Sequence, residues 1–493
     1  MTALGLDEHL NAPVRRGHTP AGGFSAGAGG GACGDLLRIT VAVEGDRVSD
    51  AGFDASGCGT AIAAGSAAVA LAVGQPILEV ARIGSAALAA ELGGLSVGKL
   101  HASDLAADAL ARALGAAVAA NASCQPTAGR ALVAMSGGVD SAVAALLTSQ
   151  TASVDPVAVT LELWADPEND GESSCCSAQA VRTARALAHR MGLAHITLDL
   201  RDQFRSGVVE PFIADHANGL TPNPCVRCNG HVRLDAMLEL GERLGAQTLV
   251  TGHYARTALS QDGGTLLRLA ADPNKDQAYM LAAVSPTTLT KLRFPLGDLT
   301  KPEVRAIAAE ADLPVAQTPD SQDLCFLAGT DRASFLARHG SVRERPGEIL
   351  DRSGRVLGRH RGHHNFTVGQ RKGLGLGGGE PLYVLSTDAR TNRVVVGERA
   401  ALRTFAVEVR AATLHADSDQ VDAVKLRYRA APLSCRITSN ASAGRHARLT
   451  LELSDPTDGA APGQAAVLLC GDRVIGHATI TLSTQSHVNS AAR

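Results

Sequence analysis

Between a short apolar run at 130–135 and the Ala/Leu-rich run Ala142–Leu147 stands Ser136-Gly-Gly-Val-Asp-Ser141. No other stretch constrains the fold as strongly. The apolar run reads as a buried strand, and the Ala/Leu run reads as a helix, so the glycines fall at a strand-to-helix turn. There Gly137 and Gly138 let backbone N–H groups approach an anion at the positive end of the helix. Ser136 and Ser141 add hydroxyl donors, and Asp140 is a candidate magnesium ligand. The Gly-Lys-Ser/Thr ending of a Walker A loop is absent. Further apolar runs at 157–163, 195–200 and 247–251 alternate with helical stretches at 177–191 and 231–244. That alternation predicts an α/β fold, a doubly wound parallel sheet with its ligand at the strand C-termini.

Cysteine usage narrows the chemistry. Ten cysteines in 493 residues are too sparse for a disulfide scaffold. The N-terminus shows no charged-plus-apolar leader. Residues 55–78 carry no charge, but they are mostly Ala, Gly and Ser with Gln75-Pro76 inside, which predicts a packed helix rather than a membrane span. The expectation is a reducing, cytoplasmic compartment with catalytic or metal-bound thiols. Cys225 and Cys228 lie in Thr221-Pro-Asn-Pro-Cys-Val-Arg-Cys-Asn229, and Cys325 in Asp320-Ser-Gln-Asp-Leu-Cys-Phe326. Pro222 and Pro224 favour a shaped loop over a core helix. A Cys-x-x-Cys with a distant third cysteine suits an iron–sulfur cluster with one open iron. It equally suits a nucleophile and a persulfide carrier that pair transiently.

The Ser-Gly-Gly-x-Asp-Ser form resembles the PP-loop of ATP pyrophosphatases. Beyond it, residues 128–485 resemble the bacterial tRNA-specific 2-thiouridylases (the MnmA family). The matching segments are Ser136–Ser141, 221–229, Thr251-Gly-His-Tyr-Ala255, Lys275-Asp-Gln277, Asp320–Phe326, Phe366-Thr-Val-Gly-Gln-Arg-Lys-Gly373, Glu380-Pro-Leu-Tyr-Val384, Arg427-Tyr428 and Pro462-Gly-Gln464. The resemblance implies that Ala134, Met135, Ser136, Gly137, Gly138, Val139, Asp140 and Ser141 hold the ATP phosphates. Leu161, where the family has Met, and Gly252 would complete the nucleotide site. Cys228 matches the attacking cysteine and Cys325 the persulfide-bearing one. Asn223, Pro224 and Cys225 match the stretch that touches the target base. His253, Lys275, Asp276, Gln277, Arg427, Tyr428 and Gln464 match tRNA contacts.

Uridine C2 is a poor electrophile because its oxygen leaves badly. The resemblance therefore implies adenylation of that oxygen, release of pyrophosphate, and displacement of AMP by sulfur at the wobble uridine of tRNA. ATP and Mg²⁺ would be the cofactors, with a cysteine desulfurase or another sulfur donor as partner and no membrane involved. Many family members carry Asp at the position of Cys225. Three thiolates, Cys225, Cys228 and Cys325, suit a 4Fe–4S cluster; the Cys325 persulfide route gives the same product.

The first 120 residues carry a second signal. Gly31-Ala-Cys-Gly-Asp35, Ala55-Ser-Gly-Cys-Gly59 and Lys99-Leu-His-Ala-Ser-Asp-Leu-Ala-Ala-Asp108 appear in order, after an opening at His9–Gly17. They resemble the U-type iron–sulfur scaffolds, the IscU/NifU family, which implies an α+β domain. A hairpin of Leu36–Val43 and Val48–Phe53 is expected, with helices near 60–73 and 103–119. In the family a cysteine follows the histidine, and here Ala102 stands there. Cys33, Asp35, Cys58 and His101 remain as a mixed site for Zn²⁺ or an iron–sulfur group, with Cys124 as a conceivable substitute ligand.

The expected order is thus a scaffold-like domain at 1–120 and a linker at 121–129. A PP-loop domain at 130–334, a small tRNA-binding domain at 335–400 and a β-barrel at 401–485 follow. Val421–Tyr428 and Arg448–Leu453 alternate as antiparallel strands. The formal net charge is −3, so RNA must be held by local patches. Residues 341–380 supply one: eight Arg and Lys side chains stand against four acidic ones. Stacking on Phe366 or Tyr428 would be local. Cys175, Cys176, Cys435, Cys470 and His195 read as structural, and His363-His364 as RNA-contact or surface residues ahead of metal ligands. A second class of function stays open, an iron–sulfur assembly protein whose PP-loop half is an RNA-binding module.

Overall fold

In the computed structural model, residues 4–29, 34–166, 177–260, 263–320, 324–327, 329–340, 342–377 and 380–481 are described. The chain forms two compact units that interleave along the sequence. The first comprises Met1–Asp202, Leu234–His253 and Lys291–Gly329; the second comprises Gln203–Arg233, Tyr254–Thr290 and Thr330–Arg493.

The first unit holds two sheets. Strands Phe24–Gly29, Leu36–Glu44 and Arg47–Ser56 form an antiparallel sheet in chain order. The expected hairpin is there, and its helix Gly59–Ala72 is buried along nearly its whole length. Gly65 lies where a Cβ would meet the Phe53 ring at 2.4 Å, so this small-residue helix packs close to its sheet. Among the described residues, no helix is long and apolar enough to cross a membrane.

The second sheet is parallel. Strand Arg130–Ala134 is central, flanked by Asp155–Glu162 and then Ala194–Asp199 on one side. On the other side come Thr248–Val250 and Leu292–Arg293. Helices Val139–Ser149 and Ala178–Arg190 lie in sequence between successive parallel strands. After the reversal of strand order, Leu234–Arg243 packs on Arg130–Ala134 and Thr248–Val250.

Beside that helix, strand Ala194–Asp199 is covered by Leu100–Asn121, which belongs in sequence to the N-terminal sheet. This helix touches strands from both sheets and is buried on nearly all its faces. Its Ala-rich composition follows, because a helix buried all round needs small residues to let both sheets approach. A Cβ on Gly115 would stand 1.7 Å from the Thr197 carbonyl oxygen. Arg185 pairs with Asp108 at 2.8 Å, and Arg112 with Glu162 at 2.7 Å. The amide of His195 donates to the Ala81 carbonyl at 2.9 Å. The 121–129 segment is tied as well: Cys124 N–H reaches Arg243 O and Thr127 N–H reaches Gly245 O.

The second unit is mostly β. A four-stranded sheet runs in the order Val356–His360, Gly347–Leu350, Arg393–Gly397, Tyr383–Asp388. A six-stranded barrel closes from Arg403–Leu414 through Gly444–Asp458, Leu433–Ile437, Ala423–Lys425, Ala465–Cys470 and Arg473–Ile480 back to the first strand. The hairpin Arg256–Leu259 and Thr265–Arg268 joins its last strand. The alternation at Val421–Tyr428 yields only the short strand Ala423–Lys425, because the chain turns at 427–430. Cys435 is buried in the barrel core, and Cys470 packs against that core.

His363 and His364 are buried rather than on the surface. His363 bonds Asn392 Oδ1 at 3.1 Å and the Ala217 carbonyl at 3.2 Å. Phe366 is likewise a core residue, packed with Ile349, Leu374 and Val384. Burial holds His216 at a pKa of about 3 and His477 at about 4.

Two outcomes are expected. Gly115→Leu forces a side chain into the Thr197 carbonyl and lowers stability by at least ~1–3 kcal/mol, read as a lower urea midpoint of the first unit. In the second unit, His216 and His477 are neutral when folded, whereas unfolded histidines take up protons near pH ~6.5. The stability they protect is therefore whole above that pH and is lost as pH falls toward 3–4. Urea midpoints from pH 7 to 5 should fall, and less steeply in His216→Gln.

Candidate functional site

The nucleotide-loop residues stand at the C-terminal end of the central parallel strand. Ala134 closes that strand, and Met135 N–H bonds the Val159 carbonyl at 2.8 Å. Gly137 adopts φ +79°, and a Cβ there would meet the Ala180 carbonyl oxygen at 2.7 Å. Gly138 caps the Val139–Ser149 helix. Ser136 N–H donates to Ser141 Oγ at 3.1 Å, and Ser141 Oγ donates to Gly138 O at 3.0 Å. The loop is thus closed on itself, with its glycines at the turn. Gly252 lies against the first turn of the same helix; a Cβ would come within 2.9 Å of Asp140 C and Ser141 N. Leu161 is buried near the end of the adjacent strand.

Sequence reasoning missed Lys301. It opens the helix Lys301–Glu310, whose N-cap Thr300 forms a capping box with Glu303. A cation at a helix N-terminus opposes the macrodipole, and two carboxylates offset this. Lys301 Nζ lies 2.6 Å from Asp140 Oδ1 and 2.8 Å from Asp320 Oδ1. Asp320 also pairs with Arg305 at 3.2 Å, and Arg305 holds the Ala316 and Thr318 carbonyls. The network joins the glycine loop to the start of the segment bearing Cys325, which is partly buried. The Lys-Pro-Glu start of a capped helix carried the cap signal, but the ion pairs arise only in three dimensions.

The other two cysteines belong to the second unit. Helix Pro224–Cys228 begins at Asn223, whose Oδ1 accepts from Cys225 N–H at 3.0 Å and Val226 N–H at 3.4 Å. Cys228 is buried and Cys225 partly so. Asn229 Nδ2 bonds Met280 O at 3.2 Å. The loop before the helix is braced by the barrel: Thr221 N–H donates to Pro462 O, and Gln464 Nε2 to Thr221 O, both at 2.7 Å. Gly463 has φ +92° and no room for a Cβ against Thr221 N at 2.9 Å.

Several expected tRNA contacts also have roles in the fold. Asp276 is 5% exposed, and its carboxylate takes Lys425 Nζ at 3.0 Å and Ala270 N–H at 3.0 Å. Gln277 Oε1 accepts from Tyr254 N–H at 2.9 Å. Arg427 donates to the Gly459 carbonyl at 2.9 Å. His253 Nδ1 lies 2.9 Å from Thr251 Oγ1 in the first unit. Tyr428 is half-buried with its ring 6.3 Å from Tyr279; burial raises its phenol pKa, with Asp276, Arg429, Lys275 and Cys225 as charged neighbours. Asn223, Cys225, Lys275 and Tyr428 are therefore grouped. The basic side chains Arg343, Arg345, Arg352, Arg359, Arg361, Arg371 and Lys372 are all exposed.

In the N-terminal sheet, Asp35, Cys58 and His101 converge with donor atoms all within 4.8 Å. Asp35 is 1% exposed. Its Oδ2 lies 3.2 Å from Cys58 Sγ and 3.3 Å from His101 Nε2, while Oδ1 accepts from Cys58 N–H at 2.8 Å. Tetrahedral ligands about 2.0–2.3 Å from one ion are separated by a similar distance. Ala102, fully buried, adds no donor. Cys33, Cys175 and Cys176 lie outside the described residues. Cys124 does not join this group: it follows the C-terminus of Leu100–Asn121, whereas His101 is in that helix's first turn, about 30 Å away along the axis.

Four family models match the chain in order. They are a NifU-like N terminal domain at 6–122, a tRNA methyl transferase HUP domain at 129–329, a tRNA methyl transferase PRC-barrel domain at 333–398 and an aminomethyltransferase beta-barrel domain at 408–480. Fold and matches together define a HUP-domain enzyme joined to a NifU-like domain. The bifunctional protein NifU/MnmA of Rubrobacter xylanophilus is 42% identical over 483 residues, covering 95% of this chain and 96% of that protein. The tRNA-specific 2-thiouridylase MnmA of Rhizorhabdus wittichii is 44% identical over 367 residues, covering 74% of this chain and 94% of that protein. That of Acidithiobacillus ferrooxidans is 43% identical over 352 residues, covering 70% and 97%. The chain belongs to the bifunctional NifU/MnmA family, an enzyme of the tRNA-specific 2-thiouridylase class.

Lys301→Ala leaves Asp140 and Asp320 facing each other without their shared cation. 2-Thiouridine formation on unmodified tRNA should drop at least about tenfold, with Lys301→Arg retaining more than Lys301→Ala.

Proposed function

We propose that the enzyme thiolates the wobble uridine of tRNA at C2, with ATP spent to adenylate the C2 oxygen. The observation that carries this reading is the pair Gly137 and Gly252. At both, a Cβ would strike backbone at 2.7–2.9 Å, so the loop and Gly252 pack closely around the start of helix Val139–Ser149, where first-turn N–H groups have no partner within the helix. Such a helix start fits a phosphate chain. Ala134 to Ser141 bind the phosphates, with Leu161 and Gly252 lining the nucleotide. Asp140 is a candidate Mg²⁺ ligand, and Lys301 beside it balances its charge.

In the first step the uridine C2 oxygen attacks the α-phosphorus, and pyrophosphate leaves. The loop N–H groups stabilise the negative charge that builds on the phosphorus oxygens. In the second step a sulfur nucleophile bonds to C2, and AMP departs with the former carbonyl oxygen. Cys225, Cys228 and Cys325 are the thiols for this step. By ligand count, three thiolates suit a 4Fe–4S cluster, which would supply the sulfur. Alternatively, the outer sulfur of a Cys325 persulfide bonds to C2 as AMP leaves. Cys228 then attacks the inner sulfur and breaks the S–S bond to free the thiolated base, and the resulting Cys228–Cys325 disulfide is reduced by an external thiol in each turnover. Asn223, Pro224, Cys225, Lys275 and Tyr428 surround the target base, and the basic 341–380 segment meets the phosphate backbone, with Asp276, Gln277, Arg427 and Gln464 holding these elements and His253 as a further tRNA contact. Asp35, Cys58 and His101 fit one divalent ion such as Zn²⁺.

The test is anaerobic 2-thiouridine formation on unmodified tRNA with ATP and sulfide, alongside pyrophosphate release. Wild type is expected to release pyrophosphate only with tRNA. If Cys225→Ala and metal-stripped protein thiolate once a desulfurase and cysteine are added, the persulfide route holds; if only the intact metal-loaded wild type thiolates, the cluster route does. No tRNA-dependent pyrophosphate release in any form would sink the adenylation step and favour an iron–sulfur assembly role.

A further inference from the structure

The N-terminal domain contributes more to the first unit than a scaffold site. Four alternating charges run through the seam between the two sheets: Arg185, Asp108, Arg112 and Glu162. Arg185 Nη1 is 2.8 Å from Asp108 Oδ1, Arg112 Nε is 3.4 Å from Asp108 Oδ2, and Arg112 Nη2 is 2.7 Å from Glu162 Oε1. Arg185, Asp108 and Glu162 are buried, each no more than 6% exposed. The two central charges stand on Leu100–Asn121, and the two outer ones on the parallel-sheet domain.

The outer charges sit on elements that frame the glycine loop. Glu162 ends its strand directly after Leu161. Arg185 is on Ala178–Arg190, whose first turn presents the Ala180 carbonyl to Gly137. Asp199, at the end of the neighbouring strand and paired with Arg201, is a further charge facing Glu162. A buried ion pair holds geometry because breaking it leaves a charge uncompensated. Arg112 therefore braces the end of the strand that carries Leu161, and Asp108 braces the helix whose Ala180 carbonyl faces Gly137.

We propose that Arg112 of the NifU-like domain is a positioning residue for the nucleotide, acting through Glu162 on the strand end that carries Leu161. This rests on the nucleotide reading of the Ser136–Ser141 loop. The fused domain then sets affinity for ATP whatever its own metal site holds, and the second unit's cysteines play no part in the effect.

The experiment uses the full chain, with unmodified tRNA, and measures KM and kcat for ATP by pyrophosphate release, together with equilibrium binding of a nonhydrolysable ATP analogue. Arg112→Met should raise KM and the analogue Kd about tenfold, with kcat within about twofold; Arg112→Lys should recover part of the loss. Arg82→Met is the control, because Arg82 crosses the same seam to the Gly192 carbonyl at 3.4 Å, before the start of the Ala194–Asp199 strand, and it should leave KM unchanged. If Arg112→Met does not fold, Arg112→Met/Glu162→Met removes both charges together and should show the same KM change. Unchanged KM in Arg112→Met, with a wild type that binds ATP, overturns the inference alone, as does an equal shift in Arg82→Met. A wild type that binds no ATP overturns the nucleotide reading, and the inference with it.

Discussion

Everything in the first unit depends on one helix buried between two sheets. Leu100–Asn121 packs on the N-terminal antiparallel sheet and on strand Ala194–Asp199 of the parallel sheet. Two hydrophobic surfaces are satisfied by one element, so neither sheet exposes the face that this helix covers. The composition that makes this possible is costly elsewhere, since alanine buries little area per residue. Close approach compensates, and Gly115 marks the limit of that approach. The two domains form one cooperative body instead of two beads on a string.

That arrangement bears on why a scaffold-like domain is joined to a thiolating enzyme. A flexible tether would let a donor domain swing toward an acceptor. Here the tether is itself hydrogen-bonded to Arg243 and Gly245, and the domain is docked through buried ion pairs. The Asp35–Cys58–His101 group brings its donor atoms together on that docked domain, beside a buried Ala102 that adds none.

In the second unit, the cysteine helix is held from behind. Asn223 caps it, and Thr221 is gripped by Pro462 and Gln464 of the barrel. Residues that the resemblance assigns to RNA, such as Asp276, Gln277 and Arg427, spend their polar atoms on backbone and on Lys425. A residue that orders a binding surface and one that touches the ligand leave the same kind of sequence match. Only burial and bonding partners tell them apart.

Local sequence determined the elements whose cause is local. The Ser-Gly-Gly-Val-Asp-Ser turn announced its strand and helix because glycine is needed where φ is positive and where backbone approaches backbone. Apolar runs marked the parallel strands, since strands covered on both faces have no polar side to alternate. Of the residues expected in the mixed site, Asp35, Cys58 and His101 converge. Tertiary structure decided the rest. Lys301 meets Asp140 and Asp320 across 161 and 19 residues of chain, and Arg112 meets Glu162 across 50. Nothing in a one-dimensional pattern specifies such pairings. Val421–Tyr428 alternated like a strand, but only three residues found a partner to pair with. His363 and His364 read as an RNA-contact or surface pair and Phe366 as a stacking residue, yet packing of that small sheet buried them. Period and composition follow from each residue's own stereochemistry; the seam, the ion network and the cysteine brace follow from which surfaces the folded chain brings into contact.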